Sequence, residues 1–132
     1  MKKLLLALAL VVGAVGAWAD VPAEEETIFV VVETMPVFPG GQQEMLKFLN
    51  EQTSASPVVT EHQIQGRAIC QFVVEKDGSI SNVQVMRSSG EPLLDKEAVR
   101  ILSIMPKWTP GMQRGEPVRI KYTVPVYFRL PE

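Results

Sequence analysis

Ala68-Ile69-Cys70-Gln71-Phe72-Val73-Val74-Glu75-Lys76-Asp77-Gly78-Ser79-Ile80, running on to Arg87, is the stretch that decides the fold. Ala68, Cys70, Phe72 and Val74 alternate with Ile69, Gln71, Val73 and Glu75, the two-residue period of a half-buried strand. Ile80 to Arg87 continues beyond Asp77-Gly78 with Val83 and Val85. An Asp-Gly pair between two such runs predicts a hairpin closed by a type I′ turn, because Asp and Gly tolerate the positive φ that turn requires. Phe72 and Val83 are expected in its core. Cys70 falls on the apolar face and reads as a buried structural thiol. A nucleophilic role would need a base and a third, orienting group, and His62 is the only histidine.

Downstream, Leu94, Ala98, Ile101, Leu102 and Met105 recur at helical spacing, with Lys96, Glu97 and Arg100 on the opposite face, and Pro106 stops the helix. Val118, Ile120, Tyr122, Val124, Val126, Phe128 and Leu130 then alternate with Arg119, Lys121, Thr123, Pro125, Tyr127 and Arg129, predicting one long final strand. Pro125 has no N–H to give a ladder, which places that strand at a sheet edge or a bulge. Upstream, Met45, Phe48 and Leu49 mark a helix from Gln42 that Ser54 to Pro57 ends. Ile28 to Val32 reads as a short strand or a packed extended segment. The expected fold is α+β: a small antiparallel sheet, made of a hairpin and a long C-terminal edge strand, with two helices packed on one face.

The 132 residues suit one domain. Residues 1–19 read as a signal peptide: Lys2 and Lys3, an apolar core from Leu4 to Val15, then Ala17-Trp18-Ala19 as the small-x-small cleavage pattern. An uncleaved anchor is the alternative, although a dozen apolar residues fall short of the ~20 a bilayer crossing needs. Residues 20–35 form an acidic lead-in with a possible strand, and 36–132 the folded domain. Removing residues 1–19 leaves 113 residues with a formal charge of −4. Residues 20–56 carry −6 and residues 107–132 carry +3, so a basic C-terminal end sits on an acidic protein. That balance argues against a nucleic-acid binder. One Cys and one His argue against a disulfide framework, a metal site or a hydrolytic triad.

The remaining candidates for chemistry have simpler readings. Glu91, Asp95 and Glu97 suit the positive end of a helix. Gly40-Gly41 lacks the Lys and Ser/Thr of a phosphate loop and reads as a tight reversal. Trp108, between Pro106 and Pro110, reads as the roof of the core rather than an exposed ligand platform. No convergent acid, base and nucleophile points to an enzyme, and no cofactor or small-molecule substrate is implied. The final strand admits two readings. Arg119, Lys121, Pro125 and Arg129 either guard an edge against stray pairing or rim a site that accepts one chosen strand.

PVFPGG (36–41), Gln65-Gly66-Arg67, FVVEKDGSI (72–80), LLDKEAVR (93–100), MPKWTPGMQRGEPV (105–118) and YTVPVYF (122–128) together resemble the C-terminal domain of the TonB family, in its short envelope variant. The resemblance implies a non-enzymatic periplasmic domain that contacts outer-membrane TonB-dependent transporters and passes on a conformational push. It implies that the final strand receives the transporter's N-terminal peptide, with Arg119, Lys121, Thr123, Pro125, Tyr127 and Arg129 as partner-binding residues. Full-length members resemble an inner-membrane anchor, a long proline-rich spacer and then this domain. Here the spacer is at most Asp20 to Met35, reaching about 50 Å fully extended. The Tyr-Pro often seen before the first hairpin strand is Ser56-Pro57. Two further readings stand beside the main one: a short anchored energy transducer, and a structural or regulatory envelope protein that pairs with another partner or with itself as a homodimer.

Overall fold

In a computed structural model, which describes residues 27–131, α1 (Gln42–Ser54) and α2 (Pro57–His62) precede the hairpin β1 (Gly66–Val74) and β2 (Ile80–Arg87). Helix α3 (Pro92–Ser103), a small ribbon of β3 (Gly111–Gln113) and β4 (Glu116–Val118), and β5 (Ile120–Phe128) complete it. The main sheet is antiparallel in the order β2-β1-β5, so β5 is an edge strand, and β3-β4 forms a separate two-stranded sheet. This is the expected α+β arrangement. The signal peptide and the acidic residues up to Glu26 lie outside the described residues.

One core holds these elements together. Ala68, Cys70, Phe72 and Val74 from β1 and Val124, Val126 and Phe128 from β5 meet Leu94, Ala98, Ile101 and Leu102 of α3 and Met45 and Leu49 of α1. Trp108 is 4% exposed and roofs this core, with its ring edge-on to Phe72 at 5.6 Å, Phe38 at 5.7 Å and Tyr122 at 5.0 Å. Cys70 is fully buried, and burial followed by the nearby Asp95 charge pushes its thiol up to about 11. It is held protonated as a packing residue.

The hairpin differs from expectation at two places. Asp77 does not take positive φ; Gly78 alone does, at 88°. The Gly78 N–H donates to the Glu75 carbonyl at 2.8 Å, closing an ordinary four-residue turn whose last residue, Gly78, is in left-handed conformation. A three-residue connection uses this geometry, whereas type I′ suits two. Gly78 is also required sterically, since a Cβ there would lie 1.9 Å from the Trp108 carbonyl oxygen. Second, β2 carries register shifts, and at one of them Asn82, with φ 52°, is the extra residue between the Gln71–Gln84 and Val73–Ser81 pairs. The bulge flips the side-chain parity, so Ile80 and Val83, which strict alternation would put on opposite faces, both pack against the core.

Three other expectations need correcting. Pro57 does not merely end α1; it opens α2 as its first residue, where a missing N–H costs nothing. The final strand does not run unbroken from Val118. Residues 116–118 pair with 111–113 instead, across Arg114 and Gly115, whose φ values of 54° and 77° make this the primed turn. Residues 28–32 form no strand: Phe29 makes an isolated parallel bridge to Ile120, while Val30 and Val31 stand 65% and 78% exposed.

Glu97, assigned to the polar face of α3, is only 7% exposed. It accepts hydrogen bonds from Ser56 Oγ at 2.8 Å and from Arg100 Nε and Nη2, at 2.9 and 2.8 Å. The Arg100 hydrogen bonds, opposed by burial and helped by Ser56, hold its carboxyl below the usual carboxylate range. Ser56 thus links the α1–α2 junction to α3.

Candidate functional site: the open edge of β5

Strand β5 pairs with β1 over nine residues without interruption, from Val74↔Ile120 to Gly66↔Phe128. Its even-numbered side chains enter the core and its odd-numbered ones face away, as the alternation 120–128 predicts. The main chain has the same division. The Phe29 N–H donates to the Arg119 carbonyl at 2.9 Å, and the Lys121 N–H donates to the Phe29 carbonyl at 2.7 Å, both on the side away from β1. Backbone groups in a strand alternate sides, so Thr123, Pro125 and Tyr127 also direct their main chain outward. Beyond the Phe29 bridge, no described strand covers this side. Pro125, exposed and opposite Ile69, sits where its lack of an N–H leaves the β1 ladder whole.

The six residues singled out from sequence take different positions. Lys121 and Thr123 lie on the outer face, where Thr123 Oγ1 accepts Gln71 Nε2 at 3.3 Å. Tyr127 is 46% exposed, and two guanidiniums, those of Arg67 and Arg129, approach its ring, each 5.9 Å from its centroid. Arg129 is one residue past the end of β5. Arg119 stands apart. It is one residue before β5, and its guanidinium grips Glu75 at 2.8 and 3.1 Å. That hydrogen bond, working against burial and joined by the Ser81 hydroxyl, lowers the Glu75 pKa.

A cleft flanks the edge on the helix side. Leu46, Leu49, Asn50 and Thr53 of α1 line a space of about 230 Å³ against Pro125 and Tyr127. A neighbouring space of about 240 Å³ is lined by Asn50, Thr53, Ser54, Tyr127 and Arg129. Arg67, Leu46 and Phe29 were not visible from sequence as part of this edge. Arg67 follows once the register is known, because it stands opposite Tyr127. Among the described residues, no group of three or more His, Cys, Asp or Glu side chains could hold a metal ion.

A family model for the Gram-negative bacterial TonB protein C-terminal region matches residues 57–130, more than half of the chain. The chain belongs to this family. The match begins at α2 and ends just past β5, so it spans both the hairpin and the open edge. The family is a periplasmic protein-interaction domain associated with TonB-dependent transport. No curated protein matches the chain in sequence. Among solved structures, it is similar to the TonB C-terminal domain of Pseudomonas aeruginosa, at 23% identity and a TM-score of 0.49, covering 59% of this chain and 79% of that one. It is also similar to a Helicobacter pylori TonB C-terminal domain, at 17% identity and a TM-score of 0.47, covering 68% of this chain and 94% of that one. Among the described residues, no helix is long and apolar enough to cross a membrane.

Proposed function

We propose that this chain is exported to the periplasm and works by binding, taking up the N-terminal peptide of an outer-membrane TonB-dependent transporter as an added strand on β5. One observation supports the reading above all: main-chain groups from Lys121 to Tyr127 point to a side of the sheet where, among the described residues, Phe29 alone pairs its backbone with the strand. An exposed edge of this kind gives affinity through the backbone and leaves selection to the flanking side chains. Lys121, Thr123, Pro125, Tyr127 and Arg129 are those flanks. Arg119 acts indirectly, fixing the start of the strand through Glu75.

Calorimetric titration with a transporter's N-terminal periplasmic peptide tests the reading. Thr123→Pro deletes an outward N–H and should weaken binding while the fold persists; undiminished binding by folded Thr123→Pro protein would exclude this edge. A concentration-dependent dimer that Thr123→Pro abolishes would instead favour self-pairing. Export is tested separately by N-terminal sequencing of the native protein. Asp20 is the expected first residue, and recovery of Met1 on a membrane-bound form would favour the anchored energy transducer.

A further inference from the structure

We infer that the cavity between the lead-in and α1 is a small-molecule site. Its ligand is neutral and mainly apolar, and carries one carbonyl oxygen that accepts the Trp108 indole N–H. The inference does not depend on strand addition at β5.

Trp108 is 4% exposed, and its Nε1 is buried with no hydrogen-bond partner among the described residues. An indole nitrogen is a donor only, so it needs an acceptor. The rings it meets at steep angles, Phe38, Phe72 and Tyr122, offer only π faces, which accept weakly. A buried donor left unmet forfeits its hydration, so one in a folded protein calls for a physical cause. The space it borders supplies that cause. Met35, Val37, Phe38 and Met45 enclose about 230 Å³ together with Trp108 and Tyr122.

The lead-in side of this space is held in place without a ligand. Val37 and Thr109 exchange both main-chain hydrogen bonds, at 3.0 and 2.8 Å, and the Gly41 N–H donates to the Phe38 carbonyl at 2.7 Å. Met45 and Phe38 are 4% and 6% exposed and belong to the core, whereas Met35 and Val37 are 37% and 43% exposed and form the rim. A preformed, mostly apolar hollow with few polar groups is the general form of a small-molecule site. The rim methionine is adaptable enough to close over a guest of irregular shape. Charge is disfavoured in either sign. A cation would be set against a donor. An anion gains little from the start of α1, where Glu44 already sits in the first turn. A single ring or a short branched chain with one carbonyl meets every requirement.

The test uses the purified full chain carrying Trp18→Phe, which leaves Trp108 as its one tryptophan. The probes are cyclohexanone and methylenecyclohexane, which differ only in an oxygen against a methylene. Cyclohexanone should bind about tenfold more tightly and move the Trp108 indole N–H resonance downfield. Methylenecyclohexane should leave that resonance near its free position. Val37→Phe enlarges a rim residue into the space and should abolish binding of cyclohexanone while the rest of the spectrum stays that of the folded protein. The comparison of the two probes stands on the unaltered pocket and needs no pocket variant. Equal affinities, binding of neither probe, or an indole resonance that cyclohexanone does not move would each overturn the inference. So would a long-lived water on the indole N–H that cyclohexanone fails to displace, because the donor would then already be met.

Discussion

Lys121 gives its main-chain N–H to Phe29 across 2.7 Å, on the side of β5 that faces away from β1. The lead-in of the chain thus already holds the first outward position of the edge, through one residue paired parallel to Ile120. Phe29→Pro removes the N–H that the Arg119 carbonyl accepts. A main-chain hydrogen bond contributes about 1 kcal/mol net, so a peptide that extends over Lys121 should bind this variant about fivefold more tightly. Unchanged affinity, measured by the same titration, would mean that Phe29 does not compete.

The alternation of backbone groups predicts a sharp contrast between neighbouring prolines. Thr123→Pro should shift the denaturation midpoint only slightly, because its N–H points away from β1. Val124→Pro breaks the central ladder opposite Cys70 and should cost about 3 kcal/mol or more. Equal losses from the two would reverse the assigned sides.

Gly78→Ala tests the docking of the hairpin on Trp108. The added methyl has to displace a main-chain carbonyl, and it does so at a residue in left-handed conformation. A loss of about 2–4 kcal/mol is expected, together with a change in Trp108 fluorescence. Gly90, also at positive φ but with open space around it, is the control and should lose about 1 kcal/mol on the same change.

Phe72→Ala should cost about 3–5 kcal/mol, given its complete burial in the core against Trp108. Cys70→Ser should cost about 1–3 kcal/mol by placing a hydroxyl where no partner is provided. Chemical denaturation reads both.

Stability should fall in acid in a way that Glu97 and Glu75 explain. Each carboxyl has its folded pKa lowered below the ordinary value of 4.5, chiefly by hydrogen bonds from Arg100 and Arg119 respectively. A depressed folded pKa contributes stability that is complete above the unfolded value and is lost as pH falls through the folded one. The denaturation midpoint should therefore decline below about pH 4.5, and Glu97→Gln should flatten that decline. Ser56→Ala removes one of the hydrogen bonds to Glu97 and should give an intermediate slope.

Much of this architecture could be read from residues alone, because each strand and long helix announces itself by period. The alternation 68–75 and 120–128 and the spacing Leu94, Ala98, Ile101, Leu102 all landed on the core. What escaped was whatever depends on the third dimension. An Asp-Gly pair does not state how many residues its loop holds, so 77–78 suggests a primed turn whose real place is Arg114-Gly115. Glu97 looked like a surface acid because a sequence does not show that Ser56 and Arg100 will satisfy it inside. The edge of β5 followed from Pro125, but Arg67 and Leu46 joined it only through strand register and helix packing.

The unequal pairing within the sheet gives it a mechanical grain. Strands β1 and β5 are matched over nine consecutive pairs, whereas the β1–β2 seam is interrupted by two register shifts. Tension applied along a segment lying beside β5 runs perpendicular to the ladder hydrogen bonds. It loads them side by side, so they yield only together. Traction across the sheet meets them one after another, like a zipper. The domain is thus stiff to a tug along the strand axis and compliant to a sideways peel, and its weakest seam lies one strand removed from the edge where such a force would enter.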